Sequence, residues 1–135
     1  MATYTADAVA LLVYLADALP RDADRVFAEA EAGETVIQTP STALAEVLFS
    51  VSRDTEVRGV ELSGTPEHAR QALVGNGPVS VAPDRDETMV EYAEIVDAFS
   101  IHDGLIVASH RAQGTAAVIT ADGVIRDADV ETVWD

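Results

Sequence analysis

The chain has no lysine and no cysteine, and its aromatic residues come to one tryptophan, three tyrosines and three phenylalanines in 135 residues. Without cysteine there is no disulfide scaffold, no thiolate zinc site and no cysteine nucleophile. Without lysine there is no P-loop lysine, and no glycine-rich phosphate loop follows any candidate strand. No apolar run reaches the ~18 residues of a membrane span. The N-terminus has no charged segment leading into an apolar core, so no signal peptide is expected and the default location is the cytoplasm. Positive charge is scarce as well. All eight basic residues are arginine, against 24 Asp and Glu, which gives a formal net charge of −16.

What the chain does have is apolar mass. At 48% hydrophobic residues it is too rich in buriable surface for a disordered acidic tail. Its length suits one domain over residues 1–135, burying roughly two thirds of the unfolded surface. Self-repulsion at this charge destabilises a compact domain in dilute buffer and becomes tolerable where salt screens it, with a Debye length of about 3 Å at 1 M. Acid excess, missing lysine and abundant Ala, Val and Thr predict a protein from a salt-loving organism. Selection for acidity in an ordinary cell is the alternative. Acidity disfavours nucleic acid as a partner in dilute buffer, but counterion release contributes little in molar salt, so charge alone decides nothing.

Hydrophobic spacing predicts helices. Ala23, Val26, Phe27 and Ala30 fall at i, i+3, i+4, i+7, as do Leu44, Val47, Leu48 and Val51, and Met89, Tyr92, Ala93 and Val96. Val9, Leu12, Leu15 and Ala16 fit another stripe after Asp7, and His102 to Ala112 is apolar almost all round, as in a buried helix. A further helix is expected from Pro66 to Val74, with Thr65 as N-cap and Gly75 ending it, and Ser41 or Thr42 is expected to cap the helix after Pro40. Between these lie β-branched runs at 2–6, 35–39, 79–82, 116–120 and 130–134, with Gly33 and Gly114 where helices should stop. The alternation predicts an α/β fold, a parallel sheet with helices on both faces. Residues 53–65 form the one long polar stretch and are expected to be a loop or a helical arm.

In such sheets ligands gather beyond the carboxyl ends of the strands. Most of the acids stand among polar residues, but Asp7, Asp17, Glu46, Asp97, Asp103 and Asp122 have apolar surroundings. A carboxylate there needs an outlet to solvent or a cation. Asp7 follows the first strand, Asp122 the fourth, and Asp103 lies in the first turn of the buried helix, where the macrodipole favours negative charge. Glu46 points away from the stripe of its helix, roughly 150° at ~100° per residue, on the same side as Phe49. That pairing predicts a face that is not simply open water. Asp17 and Asp97 lie away from any strand end and are taken as surface acids. Four carboxylates on one cleft would repel unless a hard cation held them, and oxygen-only donors describe Mg²⁺ or Mn²⁺. Such ions activate a water for in-line phosphoryl displacement. A chance constellation among so many acids is the alternative.

The order of motifs adds to this. Thr5-Ala6-Asp7-Ala8-Val9-Ala10-Leu11-Leu12 comes first, then Val36-Ile37-Gln38-Thr39-Pro40 leading to Ala45-Glu46-Val47. His102-Asp103-Gly104-Leu105-Ile106-Val107-Ala108 follows, and last Ala117-Val118-Ile119-Thr120-Ala121-Asp122. This succession, over essentially the whole chain, resembles the PIN-domain family and within it the VapC-like toxin ribonucleases of toxin–antitoxin pairs. The resemblance implies five parallel strands in the order 3-2-1-4-5 and an Mg²⁺- or Mn²⁺-dependent endoribonuclease. By the same resemblance Asp7, Glu46, Asp103 and Asp122 are the catalytic and metal-binding acids, and Thr120 orients a water or a carboxylate. RNA as substrate, an antitoxin protein and a homodimer formed around the arm are the partners it implies. Two departures stand out: Gly104 replaces the usual alanine, and basic residues for an RNA groove are few, with Arg53, Arg58, Arg85 and Arg111 as candidates.

Rival chemistries lack parts. A phosphoacceptor receiver domain needs a lysine, and a haloacid-dehalogenase-type phosphatase needs a second acid where Val9 stands. His102 and His110 are too far apart on one helix to share a zinc, which leaves His102 as a helix-start or supporting residue. No nucleophile–base pair supports a serine hydrolase. The remaining alternative is a PIN-like module that keeps its acids but binds or regulates without cutting.

Overall fold

The computed structural model describes residues 1–53 and 56–135. Strands and helices alternate as β1 (Ala2–Ala6), α1 (Ala8–Leu15), α2 (Arg21–Glu31), β2 (Thr35–Pro40) and α3 (Ser41–Ser52). A short hairpin, β3 (Glu56–Val57) and β4 (Val60–Glu61), precedes α4 (Pro66–Arg70), which runs on into a wider π turn at Gln71–Gly75. Then come β5 (Val79–Ala82), α5 (Asp86–Ile95), α6 (Ile101–Gln113), β6 (Ala117–Ile119), α7 (Gly123–Asp127) and β7 (Thr132–Val133).

Five strands form one sheet in the order β5-β2-β1-β6-β7, every pair parallel. With the hairpin set aside, this is the expected 3-2-1-4-5. The buried β-branched side chains of adjacent strand residues serve opposite layers, which is why helices cover both faces. Ile119 joins a core with Leu11, Phe27, Ile37 and Val47, whereas Val118 joins Ile95, Ile106, Val107 and Ile125. Tyr14 stacks on Phe27 with centroids 4.6 Å apart. Trp134, at the end of the last β-branched run, is 6% exposed in the first core.

Helix ends follow local chemistry. Thr65 Oγ1 accepts the His68 N–H as predicted, and α6 ends on Gly114 in the left-handed conformation at φ 64°, where a glycine avoids the Cβ clash. The cap of α3 differs from expectation. Pro40 holds the N-cap position without a side-chain bond, and Ser41 and Thr42 lie inside the helix. The Asp84 carboxylate, from the loop after β5, instead accepts the Thr42 N–H at 3.3 Å and the Thr42 hydroxyl at 2.6 Å. A carboxylate from a distant loop thus satisfies an orphan N–H at the start of the helix that carries Glu46. Asp84→Ala is expected to lower stability by about 1 kcal/mol, the usual worth of a cap, as read from the urea midpoint; an unchanged midpoint would make the contact incidental.

Three further expectations are corrected. The α1 stripe was expected to include Val9, but Ala10, Leu11 and Val13 are the buried residues and Val9 is 51% exposed. On α5, Thr88 and Ile95 are buried while Met89, Ala93 and Val96 are exposed. Packing against α6 sets this phase: Gly104 lies under the Tyr92 ring, where an added Cβ would come within 2.7 Å of Cε1. Glycine at this helix start therefore gives room to an aromatic ring. Within 53–65, β3 and β4 form an antiparallel hairpin in place of a helical arm, with Arg58 and Gly59 both at positive φ, the geometry of a type I′ turn. Asp54 and Thr55, also part of that stretch, lie outside the described residues. Arg58 reaches back over the Trp134 ring at 5.3 Å. Among the described residues no helix is long and apolar enough to cross a membrane.

Candidate functional site

Asp7, Glu46, Asp103 and Asp122 line one pocket of about 280 Å³ at the carboxyl edge of the central strands. The chain brings them there by three separate turns. Asp7 ends β1 and caps α1, its Oδ1 accepting the Ala10 N–H at 2.8 Å. Asp122 follows β6 and caps α7, its Oδ1 accepting the N–H groups of Val124 and Ile125 at 2.9 and 3.1 Å. Asp103 lies in the first turn of α6, whose cap is Ser100. All three acids therefore sit at helix N-termini, where orphan N–H groups and macrodipoles favour negative charge. Asp17 and Asp97, set aside as surface acids, are exposed.

Thr120 lies beneath the pocket, fully buried. Its hydroxyl donates to Asp7 Oδ2 at 2.5 Å and its oxygen accepts the Asp122 N–H at 3.0 Å. One side chain thus ties the first acid to the backbone of the last. Glu46 reaches the pocket from the middle of α3, and its Oε1 is paired with His102 Nδ1. Sequence had placed His102 only as a helix-start or supporting residue, and nothing local signals a partner 56 positions away. Phe49, expected to share a covered face with Glu46, is 60% exposed.

The electrostatics reflect burial first and neighbouring like charges second. Burial pushes the Asp7 carboxyl up to about 6, against the pull of its bonds from Thr120 and Ala10, and the charges of Asp103 and Asp122 push it further. Burial also raises Asp103, followed by the charge of Asp122. Neighbouring like charges make ionisation costly, a cost that a bound cation would relieve. His102 is the only side chain among the lining residues able to carry positive charge.

The donor set suits a hard divalent cation in two respects: it is all oxygen, and its repulsion is what a cation relieves. As they stand, no three Asp, Glu or His side chains among the described residues converge on one ion position. Binding would have to draw them inward.

No family model matches the sequence, and no curated protein matches it. Solved structures do. A chain of VapBC2 from Rickettsia felis, solved bound to a DNA fragment from its promoter, superposes with a TM-score of 0.71 at 16% identity, covering 98% of this chain and 99% of that one. VapC20 of Mycobacterium tuberculosis, a sarcin–ricin loop cleaving toxin, superposes with a TM-score of 0.62 at 19% identity over 89% and 90%. The fold is PIN-like. At these identities the PIN-like likeness is one of architecture, and chemistry must be argued from the site.

Proposed function

We propose that this PIN-like chain is a divalent-cation-dependent endoribonuclease, the toxin of a toxin–antitoxin pair acting in the cytoplasm. The observation that carries this is the convergence of four carboxylates on one pocket at the strand ends, with Asp7 and Asp103 held above the usual carboxylate range. Two supports come from outside the pocket: VapC20, with the same fold, is a sarcin–ricin loop cleaving toxin, and VapBC2 was solved on promoter DNA.

Asp7, Asp103, Asp122 and Glu46 would hold Mg²⁺ or Mn²⁺. The ion, when bound, supplies an activated water and stabilises charge on the phosphodiester oxygens. The chain's own work is positional. Thr120 fixes the Asp7 carboxylate toward the pocket and aligns the backbone of Asp122. The N-termini of α1 and α7 hold one oxygen of each capping acid, and Thr120 holds the second oxygen of Asp7. His102 holds Glu46 at the pocket wall. The acidic mouth also suits an antitoxin that offers a basic side chain, and a homodimer is part of the same reading.

The test is cleavage of an end-labelled single-stranded RNA. Cleavage is expected to vanish in chelator, to return with Mg²⁺ or Mn²⁺, and to be lost in Asp103→Asn. Cleavage unchanged in chelator would sink the mechanism. A second reading, a PIN-like module that binds without cutting, is favoured by the lack of any arginine lining the pocket. Mn²⁺ binding and RNA binding with no cleavage under any divalent cation would establish that reading instead.

A further inference from the structure

Most exposed apolar side chains on a surface need no explanation, but Phe49 sits where one is informative. It lies three residues after Glu46 on α3, and Arg53 at the helix C-cap is seven after Glu46. The spacing i, i+3, i+7 puts all three on one helical face, Phe49 about one turn and Arg53 about two turns from the acid. The Phe49 ring is 60% exposed, and the Arg53 guanidinium lies over it at 4.7 Å from the centroid. Arg21, Arg70 and Arg126 each pair with an acid, and the other five arginines form no ion pair among the described residues. Of those five, Arg53 and Arg58 rest on aromatic rings, and only the ring under Arg53 is exposed, on the helix that carries Glu46.

We infer that Phe49 and Arg53 form the RNA-binding face of α3: an unpaired base stacks on the Phe49 ring, and Arg53 contacts the phosphate beside it. This rests on the ribonuclease reading above and names the part of the substrate that the acid pocket does not hold. A carboxylate, an aromatic ring and a guanidinium along one face present three chemistries in a row. They match a scissile phosphate that needs a cation, a neighbouring base with a π-face, and a further phosphate. Single strands are bound in this way, by aromatic platforms with cations tracking the backbone, and arginine planes serve the same role in RNA recognition. The face also selects strandedness, because a paired base cannot leave its stack to reach Phe49. A second copy of the chain is the competing occupant. Position favours RNA, because the ring and guanidinium continue along one helical face from Glu46, which lines the acid pocket, and mass measurement decides between RNA and a second copy.

The experiment measures binding of a fluorescent single-stranded oligoribonucleotide by anisotropy, in Mg²⁺, from 0.3 to 1.5 M KCl. The full chain carries Asp7→Asn as the non-cutting parent, and Phe49→Ala, Phe49→Trp and Arg53→Ala are added singly. Phe49→Ala is expected to weaken binding at least fivefold at every salt, about the lower end of one base–aromatic stack, while Phe49→Trp retains it. Arg53→Ala is expected to weaken binding at 0.3 M and to converge on the parent by 1.5 M, as a lost phosphate contact does. A duplex of the same sequence should not distinguish Phe49→Ala from its parent. If the parent binds RNA and both alanine variants bind equally well, this inference fails and the ribonuclease reading stands. If Phe49→Ala turns a dimer into a monomer by sedimentation, the face belongs to a second copy and the inference is overturned. If the parent binds no RNA and the wild-type chain cuts none, both readings fall together.

Discussion

Asp7→Asn is expected to remove RNA cleavage by at least about a hundredfold, the scale of deleting one group that stabilises developing charge, and yet to make the cation-free protein more stable at pH 8. The second half is the more telling. Burial lifts the Asp7 carboxyl to about 6 in the folded chain, against an ordinary value of 3.8. Between these pH values the folded chain holds the proton more tightly than the unfolded one, so stability contributed here is present below pH 4 and lost as pH rises through 6. Above pH 7 the ionised form carries a penalty of up to about 3 kcal/mol. Asparagine can still cap Ala10 and still meet Thr120, but it carries no charge to desolvate. In chelator at pH 8 the variant should therefore melt several degrees higher, and at pH 4 the two melting curves should approach each other. Added Mn²⁺ should raise the wild-type curve by mass action on the folded state and leave the variant nearly unmoved. A variant that melts lower than wild type at pH 8 would mean that Asp7 serves as a cap only. Its burial would then reflect packing, with no charge held ready for a cation.

The same residue shows what sequence can and cannot reveal. Asp7 was legible because an acid directly after a β-branched run, with apolar residues on both sides, is a local anomaly. Asp122 was legible for the same reason, directly after the fourth predicted strand, although the short helix it caps was not foreseen, and Asp103 was legible as an acid in the first turn of a predicted helix. The strands were legible from their β-branched runs, although β6 and β7 prove shorter than the runs at 116–120 and 130–134. Helix phase was harder. The α1 sequence AVALLVYL is apolar on every side, so periodicity contains no information about which side is covered, and Val9 turns to the pocket. On α5, acids alternate with apolar residues, and the rotation depends on Gly104 admitting the Tyr92 ring, a contact with another element. The hairpin was missed because its turn places an arginine at positive φ before Gly59, outside the usual Asn-Gly or Asp-Gly signal. Asp84 on Thr42 and His102 on Glu46 join residues 42 and 56 positions apart. No spacing rule reaches that far.

Raising KCl from 0.1 to 2 M at pH 7.5 is expected to raise the melting temperature of the wild-type chain by roughly 10 °C, a few kcal/mol for a domain of this size. The reason is the imbalance of pairing. The chain carries 24 carboxylates and eight arginines, and among the described residues only four ion pairs form, one of them through His102. Most acids therefore meet only one another and the solvent, and screening at a Debye length of a few ångströms removes repulsion that folding concentrates. Two features separate this from a general salting-out of apolar surface. Screening should take most of its effect below about 1 M, where the Debye length has fallen to about 3 Å, whereas salting-out continues to grow. Repeating the series near pH 4 should flatten it, because protonated surface acids no longer repel. Equal melting temperatures at 0.1 and 2 M KCl would show that the charge of −16 is no burden to the fold. The response matters to the proposed activity, because the same screening that stabilises the chain lets an acidic surface approach RNA. Contacts through Arg53 weaken with salt, while stacking on Phe49 does not depend on counterions. Cleavage is therefore expected to follow the folded fraction upward with KCl, in contrast to a basic nuclease, whose grip on RNA falls as salt is added.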